Sequence, residues 1–220
     1  MTAARGTATD RTVVHLMRHG EVHNPDGILY GRLGGYRLSD LGQQMAEAVA
    51  RHLADHDVTL VVASSLTRAQ ETAAPVAAAH GLEVTVDDRV IEAENRFEGD
   101  QVNAGPAAFA HPRHWGKLVN PFKPSWGEAY TVIADRMLEA IDAAREAAAG
   151  HEAVIVSHQL PIWTARNRLM GRRLWHDPRN RQCSLASLTT LTWVDGELES
   201  VTYSEPAGSL LPQAHQGAGA

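Results

Sequence analysis

Apolar residues along this chain fall into short runs separated by helical stripes. TVVHLM (residues 12–17), LVVAS (60–64), EVTV (83–86) and AVIVS (153–157) are brief and rich in β-branched residues, the pattern of buried strands. Residues 41–56 place Leu41, Met45, Val49 and Leu53 one helical turn apart, which predicts an amphipathic helix begun by Ser39 or Asp40. Residues 67–80 predict a helix bent or broken near Pro75 and stopped by Gly81. A long Ala-rich helix is expected over 128–149, ended by Gly150, and another from about Leu160. LASLTTLTW (185–193), the turn Asp195-Gly196 and ELESVTYS (197–204) read as a closing hairpin. Strands alternating with helices predict an α/β fold, three layers deep, with a mostly parallel central sheet. The hairpin would add antiparallel edge strands.

One stretch breaks the alternation. Residues 90–127 are long, with several Pro and Gly, and predict an inserted lid at about 93–127. The chain's three phenylalanines (Phe97, Phe109, Phe122) and both lysines (Lys117, Lys123) fall there, with Trp115 and Trp126. Residues 1–10 and 206–220 read as loose tails around a single domain, 11–205.

Charge and composition narrow the class. The net charge of −6 argues against bulk attraction to nucleic acid or an anionic membrane, so any anion site must be local. No run of 18 or more apolar residues is present, and MTAARGTATDRT has no apolar signal core. Cys183 is the one cysteine and reads as a small structural residue. A cytoplasmic location is the expectation.

The chemistry gathers at strand ends. The first strand runs into Arg18-His19-Gly20, and AVIVS ends in Ser157-His158. LVVAS ends in Ser64-Ser65, with Arg68 about one helical turn on. In an open parallel sheet, ligands bind beyond the carboxyl ends of strands, so these groups are expected to converge. Two arginines and two histidines crowded together repel unless an anion lies between them. A phosphoryl group fits, because guanidinium forks match its oxygens and stay charged.

RHGEVHN (18–24) resembles the Arg-His-Gly-Glu-x-x-Asn signature of the histidine phosphatase superfamily, which includes cofactor-dependent phosphoglycerate mutases. SSLTRAQETA (64–73) looks like that family's Ser-x-x-x-Arg-x-x-x-Thr segment, and VIE (90–92) its acid segment. WGEAYTVIADR (126–136) resembles its Gly-Glu-Ser...Arg helix start, and VIVSH (154–158) its second-histidine strand. The five stand in the family's order across about residues 12–160.

The resemblance implies a phosphatase that hydrolyses small-molecule phosphate monoesters. His19 would be the nucleophile and form a phosphohistidine. Arg18, Arg68 and His158 would hold the phosphoryl oxygens, and Glu92 would be the general acid and base. Asn24, Arg32 and Gln159 would contact the substrate, and no cofactor or metal would be needed. Glu94 and Glu98 compete with Glu92 for the acid role, since EAENRFEG lacks the Phe-Gly pair that follows the family's acid. In the mutase branch the acid precedes Arg-His-Tyr-Gly. Here Ala93, Glu94, Asn95 and Arg96 follow, which favours hydrolysis over a phosphoglycerate-mutase-type transfer or a non-catalytic phospho-ligand binder.

Other residues carry blander expectations. Glu21 is read as structural, because a carboxylate in a phosphate pocket opposes binding. Glu128 opens a helix and is a candidate partner for a pocket arginine. His52 and His56, four apart, have a metal-ligand spacing but read as a solvated helix face. Six arginines between Arg166 and Arg181 read as a surface patch. Edge pairing of the hairpin would suit a homodimer.

Overall fold

The computed structural model describes residues 10–95, 97–100 and 127–215. The bulk of the expected lid, with Arg96, Phe109, Trp115, Lys117, Phe122, Lys123 and Trp126, lies outside the described residues, as does the chain up to residue 9.

Six strands form one sheet: β1 (Arg11–Arg18), β2 (Val58–Ala63), β3 (Val84–Val86), β4 (Glu152–Ser157), β5 (Leu188–Val194) and β6 (Glu197–Ser204). Their order is β3-β2-β4-β1-β5-β6. The first four pair in parallel, and β5 and β6 are antiparallel additions at one side. Asp195 and Gly196 both take positive φ, 50° and 85°, as a tight turn that follows the strand twist requires.

Alternation along β4 shows the layering. Ala153 and Ile155 face a core with Ile133, Met137 and Ile141 of α3 (Tyr130–Ala147) and Ile162 of α4 (Gln159–Leu169). Val154 and Val156 face the other core, with Met45, Val49 and Leu53 of α1 (Asp40–Leu53) and Ala73 and Val76 of α2 (Thr67–Ala79). Every side chain of β4 after Glu152 is buried, which is why that strand reads as an unbroken apolar run. Ser39 caps α1, its hydroxyl accepting from the Gly42 amide at 3.0 Å, an arrangement worth about 1 kcal/mol.

Two expectations are corrected. Helix α2 runs unbroken through Pro75, because Thr72, Ala73, Val76 and Ala77 on either side are locked into the core. The segment after residue 206 is not loose where it is described. Gly208–Gln213 forms a 3-10 helix, Ala207 is buried, and Leu210 and Leu211 pack on the α1–α2 core. The His215 amide then donates to Glu21 Oε1 at 2.7 Å.

Candidate active site

The site grows from the register of two neighbouring parallel strands. Arg18 at the end of β1 pairs with Ser157 at the end of β4, so the next residues, His19 and His158, emerge side by side. Their ring centroids are 5.2 Å apart, and both rings are buried. Gly20 follows His19 because nothing larger fits. A Cβ there would lie 2.5 Å from the Gly42 carbonyl oxygen at the start of α1.

His19 Nδ1 lies 2.8 Å from the carbonyl oxygen of Gly20, which can only accept, so the proton sits on Nδ1 and Nε2 carries the lone pair. Burial first, then the charges of Arg68 and Arg18, hold its pKa well below the usual imidazole value, while the Gly20 bond opposes them. The ring is therefore neutral near pH 7, as a nucleophile must be. His158 is likewise held neutral, by burial and then by Arg68. Its Nε2 is 2.8 Å from Ser64 Oγ, at the end of β2.

Arg68 sits in the first turn of α2, where a cation opposes the helix dipole. It is almost fully buried, donates to the Gly31 carbonyl oxygen at 2.6 Å, and stacks 4.7 Å over the Tyr30 ring. Arg18 donates to the Cys183 carbonyl oxygen at 2.6 Å. In both arginines Nε is buried with no hydrogen-bond partner, and neither pairs with a carboxylate among the described residues. Two buried guanidinium groups with no direct ion-pair partner among the described residues are costly, by several kcal/mol each in order of magnitude, unless an anion arrives.

Thr72 ties these parts together. Its hydroxyl donates to the Arg68 carbonyl oxygen at 2.7 Å and accepts from the Gly20 amide at 3.1 Å. The eight-residue spacing of Ser64, Arg68 and Thr72 thus orients His158, supplies a cation and fixes the loop after His19 in turn.

Glu92 approaches from the segment after β3. Ser157 Oγ donates to the Val90 carbonyl oxygen at 2.7 Å, and Arg32 Nε to the Glu92 carbonyl oxygen at 2.6 Å. Glu92 Oε2 lies 4.0 Å from His158 Nδ1. Burial raises its pKa above the usual carboxylate value, against the Ala93 amide and the charges of Arg68, Arg181 and Arg18. Glu94 points elsewhere, exposed and paired with Arg32 at 3.1 Å, and Glu98 accepts from the Arg32 amide. Of the three acids, Glu92 is the one that reaches a site histidine, His158. A cavity of about 280 Å³ adjoins it, lined among others by Tyr30, Tyr130, Gln159 and Arg181.

Against this geometry, residues 14–206 match the histidine phosphatase superfamily, branch 1. The chain belongs to that superfamily. It is 58% identical to the uncharacterized protein Rv0525 of Mycobacterium tuberculosis over 90% of this chain and 98% of that one. It is 30% identical to a probable phosphoglycerate mutase, GpmB, of Yersinia enterocolitica over 79% of this chain and 82% of its relative. Among solved structures it resembles a mycobacterial glucosyl-3-phosphoglycerate phosphatase, Rv2419c, with a TM-score of 0.68 and 26% identity, covering 90% of this chain and 97% of that one.

Of the three residues expected to contact substrate, Asn24 and Arg32 are tied by local partners and Gln159 lines the cavity. The Asn24 side-chain amide bonds the Ile28 backbone through its oxygen and one N–H, at 3.0 and 2.9 Å, and so shapes its loop. Arg32 is held by Glu92, Glu94 and Glu128, and so braces the acid segment. Glu128 also takes Arg136 at 2.9 Å. Gln159 does line the cavity, accepting from Arg181 at 3.3 Å. Glu21 is structural, accepting from the Ser39 hydroxyl and the His215 amide. The arginine patch is split: Arg166 is buried against Trp163 and Tyr203, and Arg181 faces the cavity.

Tyr30 and Arg181 were missed from sequence. The Tyr30 hydroxyl is buried without a partner, its pKa pushed up to about 12 by burial, so it remains a donor at every working pH. Its place in YGRLGGYRL, next to the loop carrying Arg32, was the available signal. Burial raises the Cys183 thiol pKa as well, so its carbonyl rather than its sulfur serves the site.

Proposed function

We propose that this protein hydrolyses phosphate monoesters through a phosphohistidine on His19. The observation that carries the reading is a neutral imidazole with its lone pair free on Nε2, set among two unpaired buried arginines and a protonatable Glu92. In the first step Nε2 attacks phosphorus and the bond to the ester oxygen breaks. Glu92 gives its proton to the departing alkoxide, and the Gly20 carbonyl steadies the charge that forms on the ring. Arg18, Arg68 and His158 hold the phosphoryl oxygens as charge concentrates there. In the second step the Glu92 carboxylate takes a proton from water, the new P–O bond forms and the P–N bond breaks. Neutral His19 and protonated Glu92 return.

Hydrolysis is favoured over mutase-type transfer by the cavity wall. A mutase must bind a second phosphate, and among the described residues Glu94 and Glu128 stand on that wall with Arg181 as its one cation. The deciding experiment is release of inorganic phosphate from a panel of monoesters with a divalent-metal chelator present, together with alkaline denaturing quench to trap labelled enzyme. Turnover that survives the chelator, with an acid-labile, base-stable phosphoenzyme, is expected. A strict metal requirement, or turnover with no phosphoenzyme, would sink the mechanism.

Leaving groups test Glu92. Glu92→Gln should slow alkyl phosphates by about 10²-fold and nitrophenyl phosphate far less, because a nitrophenolate leaves without a proton. The same acid sets the alkaline limb of kcat/KM for alkyl esters. Activity needs neutral His19 and protonated Glu92, so it falls at low pH as His19 gains a proton and at high pH as Glu92 loses one. Burial raises the Glu92 pKa and lowers that of His19, and both shifts act to open this window. Equal slowing of both ester classes would move the acid role off Glu92.

A further inference from the structure

The phosphate site leaves a second histidine cluster unused, on the α1 side of the sheet and away from the strand ends. His15 lies four residues before His19 on β1, about 13 Å back along the strand. Glu152 opens β4, and His56 lies in the connection between α1 and β2. Three separate elements thus bring their side chains to one point. His15 Nε2 and His56 Nδ1 each lie 2.8 Å from the same carboxylate oxygen, Glu152 Oε2. Among the described residues, this is the group of three whose ligand atoms could share a metal ion.

We propose that His15, His56 and Glu152 form a binding site for a divalent transition metal, of which Zn²⁺ is the type. The donor set is two imidazole nitrogens and one carboxylate oxygen, which suits zinc and its neighbours rather than magnesium or calcium. His15 is oriented as a ligand would be: its Nδ1 is 2.9 Å from Thr190 Oγ1 on β5. A hydroxyl can accept from Nδ1–H, which leaves Nε2 bare for the metal. Without metal the two rings donate N–H to Oε2, and the threonine hydroxyl donates to Nδ1 instead. On metal uptake each ring keeps one proton but moves it to its other nitrogen by exchange with solvent, so that His15 Nδ1–H donates to Thr190 and both nitrogens that faced the carboxylate are bare.

The three ligand atoms already lie within 4.8 Å of one another. Bonds of about 2.0–2.1 Å around a tetrahedral ion separate ligand atoms by about 3.3 Å, so the rings must spread by about half an ångström from 2.8 Å. His56 lies in a half-exposed connection and can move that far, whereas His15 is fixed in the sheet. His52, with its ring 6.0 Å from that of His56, is the neighbour placed for a fourth position, or a water completes it. The carboxylate's other oxygen is 3.8 Å from Arg11, an exposed side chain that does not enter the cluster. Such an ion would clip β1, β4 and the α1–β2 connection together. It would be structural, with no part in phosphoryl transfer.

The test uses the full chain, stripped with chelator and desalted. Zn²⁺ is titrated calorimetrically, and Co²⁺ is followed by its visible ligand-field absorption. One ion per chain is expected, with a cobalt band typical of low coordination and a thermal midpoint that rises with added Zn²⁺. His56→Ala should weaken Zn²⁺ binding by about 10²-fold and abolish the cobalt band. That variant should keep its phosphate release, and the half-exposed position of residue 56 outside the strands should keep the fold. Glu152→Gln should move binding the same way. Absence of a one-to-one complex would overturn the assignment, as would a cobalt band that persists in His56→Ala or disappears in His19→Ala instead.

Discussion

His19→Ala is expected to lower phosphate release by at least about 10⁴-fold on every ester, activated or not. The size follows from the kind of step lost. The nucleophile makes the covalent intermediate, and no neighbouring group can replace it. His158, 5.2 Å away between ring centroids, has Nε2 turned to Ser64 and Nδ1 toward Arg68 and Glu92. The fold should survive, because β1 is held by β4 and β5 along its whole length and His19 lies beyond its end. The substitution leaves a space the size of an imidazole, lined by cations that still bind phosphate. Added imidazole should therefore restore part of the rate on nitrophenyl phosphate, while the labelled phosphoenzyme stays absent. Circular dichroism and steady-state assay suffice. A variant that keeps substantial turnover without imidazole would remove His19 from the chemistry.

How far the site could be read in the sequence depended on where its parts sit relative to regular structure. His19 and His158 stood out because parallel strands deliver their next residues to one edge of the sheet, and the strands were visible as apolar runs. That β4 lies directly beside β1 was not visible, since strand order depends on packing between helices distant in sequence. Ser64, Arg68 and Thr72 were legible as a spacing, but not the work of Thr72 in fixing Gly20. Loop residues were read least well. Asn24 and Arg32 are polar groups in loops, and the local partners that tie both could not be read from the sequence. Tyr30 resembled ordinary loop aromatic content until its orphaned hydroxyl placed it beside His19. The last helical turn escaped because Leu210 and Leu211 are too few to make a period. His15, in the middle of an apolar strand, gave no sign of meeting His56 and Glu152.

Arg68→Ala should cut kcat/KM by about 10²–10³-fold while leaving the folded protein nearly as stable as before. The loss of rate comes from removing a fixed charge that faces the phosphoryl oxygens in a buried site. The small stability change comes from two opposed effects. The variant forfeits a hydrogen bond to the Gly31 carbonyl and the stacking on Tyr30. It also relieves the burial of a cation whose pKa is already lowered, by desolvation first and with Arg18 adding to it. Inorganic phosphate, which should raise the thermal midpoint of the wild type, should raise that of Arg68→Ala much less. Arg68→Lys, which keeps a charge but not the fork, should fall between. A further readout separates charge from mere structure. Arg68 is the leading charge that depresses the His19 pKa. Removing it lets that pKa climb toward its ordinary value, so a given acidic pH protonates more of the nucleophile. The acid limb of the kcat/KM profile should move to higher pH in Arg68→Ala and stay near its wild-type place in Arg68→Lys. An unmoved limb in the alanine variant, or near-normal turnover, would mean that the guanidinium does not face the reacting group.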